Sequence, residues 1–149
     1  MTFRSHMQIA LTEAEAAAAR GEIPVGAVLL RDGKVVAQAG NRTRELNDPT
    51  AHAEVLVIRE ACRVLRQERL TGCDLYVTLE PCPMCAAAIS NARIGRLYYG
   101  ASDPKSGGVG QGPRIFSHPQ CHHAPEVYDG IDEARSAALL ADFFAKLRK

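Results

Sequence analysis

Two short fragments hold the side chains best suited to chemistry, His52-Ala53-Glu54 and Pro81-Cys82-Pro83-Met84-Cys85. Imidazole nitrogen and thiolate sulfur are donors that suit zinc, and a catalytic zinc takes three protein ligands and leaves its fourth place to water. His52, Cys82 and Cys85 supply that number. Two thiolates balance the double charge of the ion, so the site is nearly neutral before its water ionises. Zinc lowers the pKa of bound water to about 7, which makes hydroxide available near neutral pH. Glu54 lies two positions from His52 and need not touch the metal. A carboxylate beside such a water can take its proton and later pass it to a substrate. Each fragment alone is weak: C-x-x-C serves structural zinc and redox pairs, and H-x-E occurs at the start of many helices. Their pairing carries the weight.

Both fragments fall where a helix is expected to begin. Residues 4–20 read as a helix with Met7, Leu11, Ala14 and Ala18 on one stripe, ended by Gly21. Ile23–Leu30 is an apolar run of the kind buried on both faces of a sheet. Asp32-Gly33 signals a hairpin into a second strand, Lys34–Gln38. A polar loop over Asn41–Thr50 follows, with Thr50 placed to cap a helix that carries Val55, Ile58, Cys62 and Leu65 at helical spacing. Asp74–Leu79 reads as a strand that runs into a small-residue helix starting near Cys82. Cys82 and Cys85 then lie in a first helical turn, where free N–H groups favour the thiolate. Ile94–Gly100 is a fourth strand, Ser102–Ala124 a long loop, Glu126–Tyr128 a short fifth strand and Asp132–Leu147 a last helix. Leu140, Phe143, Phe144 and Leu147 share one of its faces. The order α-β-β-α-β-α-β-(β)-α fits an α/β fold with helices on both faces of a mixed sheet. Glu80-Pro81-Cys82 then stands at the carboxyl end of a strand, where ligand sites of open α/β sheets form.

Composition narrows the class without choosing a substrate. A chain of 149 residues is of one-domain length, expected to be a single domain over 1–149, and 46% hydrophobic content argues for a globular fold. A net charge of +1 lacks the basic excess of many nucleic-acid binders, so any RNA grip must be local. Five cysteines, an odd number, do not form a disulfide framework. No run is long and apolar enough to span a bilayer, and Met1–Arg20 carries charges unlike a secretion signal. Reduced thiols in the cytoplasm are the expectation.

Taken together, the fragments read H-x-E…P-C-x-x-C, with residues 55–81 between Glu54 and Cys82, the signature of zinc-dependent base deaminases. Pro24-Val25-Gly26-Ala27-Val28, Asp48–Glu54 and Leu75–Cys85 resemble the bacterial tRNA adenosine deaminases. So do Arg93–Arg96, Gly100–Lys105 and the ending Ala137–Phe144, so the likeness covers nearly the whole chain. The zinc motif is shared across the cytidine-deaminase-like superfamily, whereas the Leu140–Phe144 tail is more particular to the tRNA enzymes. The resemblance implies a three-layer α/β/α fold with a mixed five-stranded sheet and a homodimer. It further implies one zinc per chain on His52, Cys82 and Cys85, with Glu54 as proton shuttle. The implied reaction converts the wobble adenosine of a tRNA anticodon to inosine, with attack at C6. Asn41 matches a base-binding residue, Asp103 and Lys105 match positions beside the RNA loop, and Phe144 and Arg148 match tail residues near the anticodon. Four of these have a plainer reading as well: Asn41 a turn residue, Asp103 and Lys105 a solvated loop, Phe144 core. The sequence departs from the family in His122-His123-Ala124-Pro125, which lacks a basic residue after the second histidine, and in the loop Ser106–Phe116.

Two other readings stay open at this point. The same chemistry on free guanine, cytosine or a nucleoside suits the near-zero net charge, against the tail and its cluster Lys146, Arg148 and Lys149. A non-catalytic zinc module would need a fourth ligand from Cys62, Cys73, Cys121 or a loop histidine, and would leave Glu54 without a role. His118, Cys121, His122 and His123 form a further candidate metal cluster.

Overall fold

The structure is a computed structural model that describes residues 3–147. Its elements are α1 (Met7–Ala19), β1 (Gly26–Arg31), β2 (Lys34–Gly40), α2 (Ala53–Leu65), β3 (Cys73–Leu79), α3 (Pro83–Asn91), β4 (Arg96–Ala101), β5 (Glu126–Tyr128) and α4 (Glu133–Leu147). A single 3-10 turn, Ile115–Ser117, interrupts the long loop before β5. The five strands form one mixed sheet in the order β2-β1-β3-β4-β5. β1 runs antiparallel to both β2 and β3, whereas β3, β4 and β5 are parallel.

Alternation along the strands sorts the core into two layers, as the two-residue period of a strand requires. Ala27 and Leu29 of β1, Leu75 and Val77 of β3, and Leu97 and Tyr99 of β4 pack with Ala53, Val57 and Ala61 of α2 and Ile89 of α3. Val28, Leu30, Tyr76 and Tyr98 face the other way, onto Met7, Ala10 and Leu11 of α1 and Leu139 of α4. Tyr76, Tyr98 and Tyr128 are paired across β3, β4 and β5, and their rings stack in sequence. The architecture is therefore three-layered, α/β/α. β1 is buried along Gly26–Leu30, as its unbroken apolar run demands. At Gly26 the α1 backbone lies directly on the strand, so a Cβ would collide with the Ala10 carbonyl. The β1–β2 turn uses Asp32 at φ 53° and Gly33 at φ 75°, the paired left-handed conformation that Asp-Gly favours.

Three expectations need correction. α1 starts at Met7 rather than residue 4, because His6 is its N-cap. β1 begins at Gly26, with Ile23 outside it and 41% exposed. Thr50 does not cap α2: His52 is the N-cap, and Thr50 donates its N–H and hydroxyl to Asp48 Oδ1 at 2.8 and 2.7 Å. Thr50 stands two residues before the cap position and instead closes the Asp48 turn, where Asp48 accepts both of its donors.

The sheet polarity gathers one edge of the molecule. Leu79 and Ala101 are register partners at the carboxyl ends of β3 and β4. Antiparallel pairing brings the start of β1 and the end of β2 to the same edge, where Asn41 N–H donates to the Val25 carbonyl. Four chain segments thus meet at that edge.

Candidate active site

His52 and Cys82 are the N-caps of α2 and α3, both in extended backbone, with φ/ψ of −71°/152° and −70°/170°. Pro83 accounts for the second: it pushes the residue before it into the extended region and fits the first helical position, where no N–H is needed. Neither side chain makes the usual N-cap hydrogen bond. They face each other instead. His52 Nδ1 stands 3.6 Å from Cys82 Sγ and 3.5 Å from Cys85 Sγ, and the three donor atoms lie within 4.8 Å of one another. Zinc bonds of about 2.05 Å to nitrogen and 2.3 Å to sulfur, at a tetrahedral angle, separate the two donors by about 3.6 Å. The donor set therefore fits zinc in both chemistry and spacing. Among the described residues no fourth His, Cys, Asp or Glu joins this group. Three donors with a remaining position is the pattern of a catalytic site and not of a closed structural one.

The proton balance of the metal-free cluster follows from the same contacts. The Cys82 thiol is pulled down to about 4, first by the hydrogen bond from Cys85 and then by His52. Cys85 is pushed up by that bond to Cys82 and by burial, and a metal binds the pair only with both sulfurs deprotonated. His52 is raised by its bond to Cys82. Glu54, 4% exposed, is pushed up to about 7 chiefly by burial, and its Oε1 has no hydrogen-bond partner. A buried, unpartnered carboxyl oxygen is costly unless a water or a ligand group satisfies it. A carboxyl that titrates near neutrality can both take and give a proton.

The cluster opens into a cavity of about 550 Å³ at the strand-end edge. Asn41, His52, Glu54, Cys82, Asp103, Lys105 and Phe144 all line it, while Cys85 lies buried behind them. The sequence-derived site residues thus converge, save Arg148, which lies outside the described residues. Asn41 is 5% exposed; Arg20 Nη2 donates to its carbonyl at 3.2 Å, and its own Nδ2 donates to Thr43 Oγ1 at 3.4 Å. Phe144 is 41% exposed and stands with Leu140 on the cavity wall, so it is not core. Asp103 Oδ1 also accepts the N–H groups of Lys105 and Ser106, so it shapes its own loop.

Two buried carboxyls did not stand out in the sequence: Glu80, which lines the cavity, and Glu22. Both accept backbone N–H groups from neighbouring loops. One signal was available for Glu80: an acid between a buried apolar strand and Pro81 has no place to be solvated. The histidine-rich loop, by contrast, does not gather donors. Cys121 Sγ donates to the His123 carbonyl at 3.0 Å, and His123 Nε2 lies 2.7 Å from the Ile94 carbonyl. The first bond closes the loop on itself and the second ties it to the segment before β4; His52, Cys82 and Cys85 remain the one group with metal-holding geometry among the described residues.

Residues 2–101 match the cytidine and deoxycytidylate deaminase zinc-binding region, a stretch that contains every donor of the cluster and Glu54. Fold and site together thus define the class, a zinc-binding deaminase. The tRNA-specific adenosine deaminase of Agrobacterium fabrum is 64% identical over 149 residues, covering 99% of this chain and 98% of that one. A solved structure from work on A-to-I editing by tRNA:A34 deaminases superposes with a TM-score of 0.90 at 66% identity, covering 92% of this chain and 100% of the other. A guanine deaminase from Bacillus subtilis is more distant, with a TM-score of 0.66 at 33% identity over 98% of this chain and 96% of its own. The chain belongs to the tRNA-specific adenosine deaminases.

Proposed function

We propose that this protein hydrolyses the wobble adenosine of a tRNA anticodon to inosine and ammonia. The observation that carries the reading is the three-donor cluster beside Glu54, whose Oε1 has no partner, on the floor of a cavity, in a chain 64% identical to a tRNA-specific adenosine deaminase. His52, Cys82 and Cys85 would hold one zinc ion, which when bound supplies a Lewis acid that acidifies water. Glu54 moves the protons. It takes one from the water that adds at C6 and delivers it to N1 of the ring, then takes the second from the new C6 hydroxyl and gives it to the amino group, which leaves as ammonia as the C6 carbonyl forms.

The rim is assigned to recognition. Asn41, clamped by Arg20 and Thr43, offers its amide oxygen to the flipped base. Phe144 gives an exposed ring on which a neighbouring base can stack. Lys105 meets the RNA backbone from the loop after β4, Asp103 shapes that loop beside the RNA, and the resemblance adds Arg148. An anticodon loop suits the site because unstacking is cheapest where bases are already single-stranded. No helix among the described residues is long and apolar enough to cross a membrane. A cytoplasmic, single-domain homodimer is part of the proposal. Met84 and Val64, exposed on the α2–α3 layer, support pairing through that face.

The test is to incubate pure zinc-loaded protein with an anticodon stem-loop RNA, digest the product and map inosine by mass. Inosine at the wobble position and at no other adenosine is expected. Inosine scattered over all single-stranded adenosines, or none, overturns the assignment.

A further inference from the structure

Glu80 follows β3 and precedes the Pro81-Cys82 turn, and it is 2% exposed. No ion pair to it is found among the described residues within 4.0 Å. A carboxylate so placed must be satisfied by donors or it is too costly to bury. Four backbone N–H groups meet the need, all from the loop that follows β4. Asp103 donates to Oε1 at 3.0 Å; Val109, Gly110 and Gln111 donate to Oε2 at 3.1, 2.9 and 3.0 Å. The loop is moulded around this acceptor. A Cβ at Gly107 would stand 2.5 Å from Glu80 Oε2, and one at Gly108 would stand 2.6 Å from the Pro83 nitrogen. Gly108 N–H also donates to the Pro81 carbonyl at 2.8 Å. One side chain therefore joins the start of the metal turn to the loop that presents Ser102, Asp103, Lys105 and Ser106 to the cavity.

We infer that Glu80 is a positioning residue: its carboxylate folds the 103–111 loop into the substrate-binding wall, and it acts on RNA recognition through that loop rather than on the reacting atoms. The inference rests on the functional reading above. Both carboxylate oxygens act only as acceptors, so the loop depends on charge as well as shape. Glutamine keeps the shape but replaces one acceptor oxygen with a donor, so an N–H on one side of the fork must face an N–H₂. The loop then loosens while Glu54 and the three metal donors stay in place.

The test compares wild type with Glu80→Gln in three readouts: steady-state kinetics on an anticodon stem-loop, zinc per chain, and amide hydrogen exchange. KM should rise about tenfold or more with kcat within about threefold, a scale set by losing one or two hydrogen bonds to a charged acceptor. Zinc content should be unchanged. Amides of Asp103, Val109, Gly110 and Gln111 should exchange at least about tenfold faster, while those of β3 keep their protection. Glu80→Asp, which retains both acceptor oxygens on a shorter stem, should recover part of the KM. Unchanged KM with unchanged protection of 109–111 overturns the inference, as does a fall in kcat alone. If Glu80→Gln does not fold, Gly107→Ala crowds the same carboxylate and is held to the same criteria. Should wild type fail to deaminate the stem-loop, the functional reading falls, while the exchange of these amides still decides the role of Glu80.

Discussion

The floor and the rim of the cavity are built by different means. Floor residues His52, Glu54, Cys82 and Cys85 stand on the first turns of two helices, against the sheet core, with their donor atoms at close range. Rim residues Asn41, Asp103, Lys105 and Phe144 come from two loops and the end of α4, and only Asn41 among them is fully buried. Chemistry demands donors fixed within fractions of an ångström, which helix starts packed on a core provide. Recognition of a long ligand demands reach and accommodation, which loops provide at the cost of order. The protein braces those loops from below with buried carboxyls: Glu80 under 103–111, and Glu22 under Arg44 and Glu45, whose N–H groups it accepts at 3.1 and 2.8 Å. Each rim loop is thereby given one interior anchor in place of a strand partner.

The contrast predicts that floor substitutions abolish turnover while rim substitutions mainly change affinity. Cys85→Ala should show the largest effect, losing both zinc and activity. Elemental analysis of that variant finding full occupancy would remove Cys85 from the ligand set. Glu54→Ala should keep zinc and fold yet lose kcat by about 10²–10⁴-fold or more, the scale for a general acid–base group used at several steps. Activity within about tenfold of wild type would mean that water or another group moves the protons.

Burial of Glu54 also sets a pH dependence. In the metal-stripped chain its carboxyl is raised from 4.5 to about 7, so between those values the folded state keeps a proton that the unfolded state has released. Stability should therefore fall as pH rises through that window, by roughly 3 kcal/mol in total. Melting temperatures of stripped wild type should drop more steeply from pH 5 to pH 7 than those of stripped Glu54→Gln. Parallel curves would show that Glu54 does not hold the proton.

At the rim, Phe144→Ala should raise KM for the stem-loop by about tenfold, within the range for losing one base–aromatic stack, and leave kcat nearly intact. A loss confined to kcat would move Phe144 to the floor in function. The smallest effect is expected for Arg148→Ala with Lys149→Ala. The log–log salt slope of binding should become less steep by about 0.7 for each phosphate no longer neutralised, with zinc content unaffected.

The floor was legible in the sequence because its residues are rare types at fixed short spacing, H-x-E and C-x-x-C, each beside a turn or proline that starts a helix. The sheet was legible for a similar reason: the β1 run and the Asp32-Gly33 turn are local signals. Thr50 shows the limit, since the same hydroxyl suits a cap or an Asx turn, and Asp48 two residues earlier decided it. The burial of Glu80 before Pro81 left a trace in the sequence, but what Glu22 and Glu80 hold did not. Their partners are backbone N–H groups, which every residue carries, and the nearest lies more than twenty positions away in sequence. The histidine-rich loop is the opposite case. It holds metal-binding residue types, but His123 and Cys121 spend their polar atoms on main-chain carbonyls.

Substrate choice is the point at which floor and rim must act together. The direct measurement is ammonia release by the zinc-loaded enzyme from anticodon stem-loop RNA, free adenosine, guanine and cytosine at equal concentration, over a series of salt concentrations. Ammonia from the stem-loop alone, at a rate that falls with salt at subsaturating RNA, is the predicted result. Faster turnover of free guanine or cytosine, insensitive to salt, would contradict the account and leave this cavity to small bases.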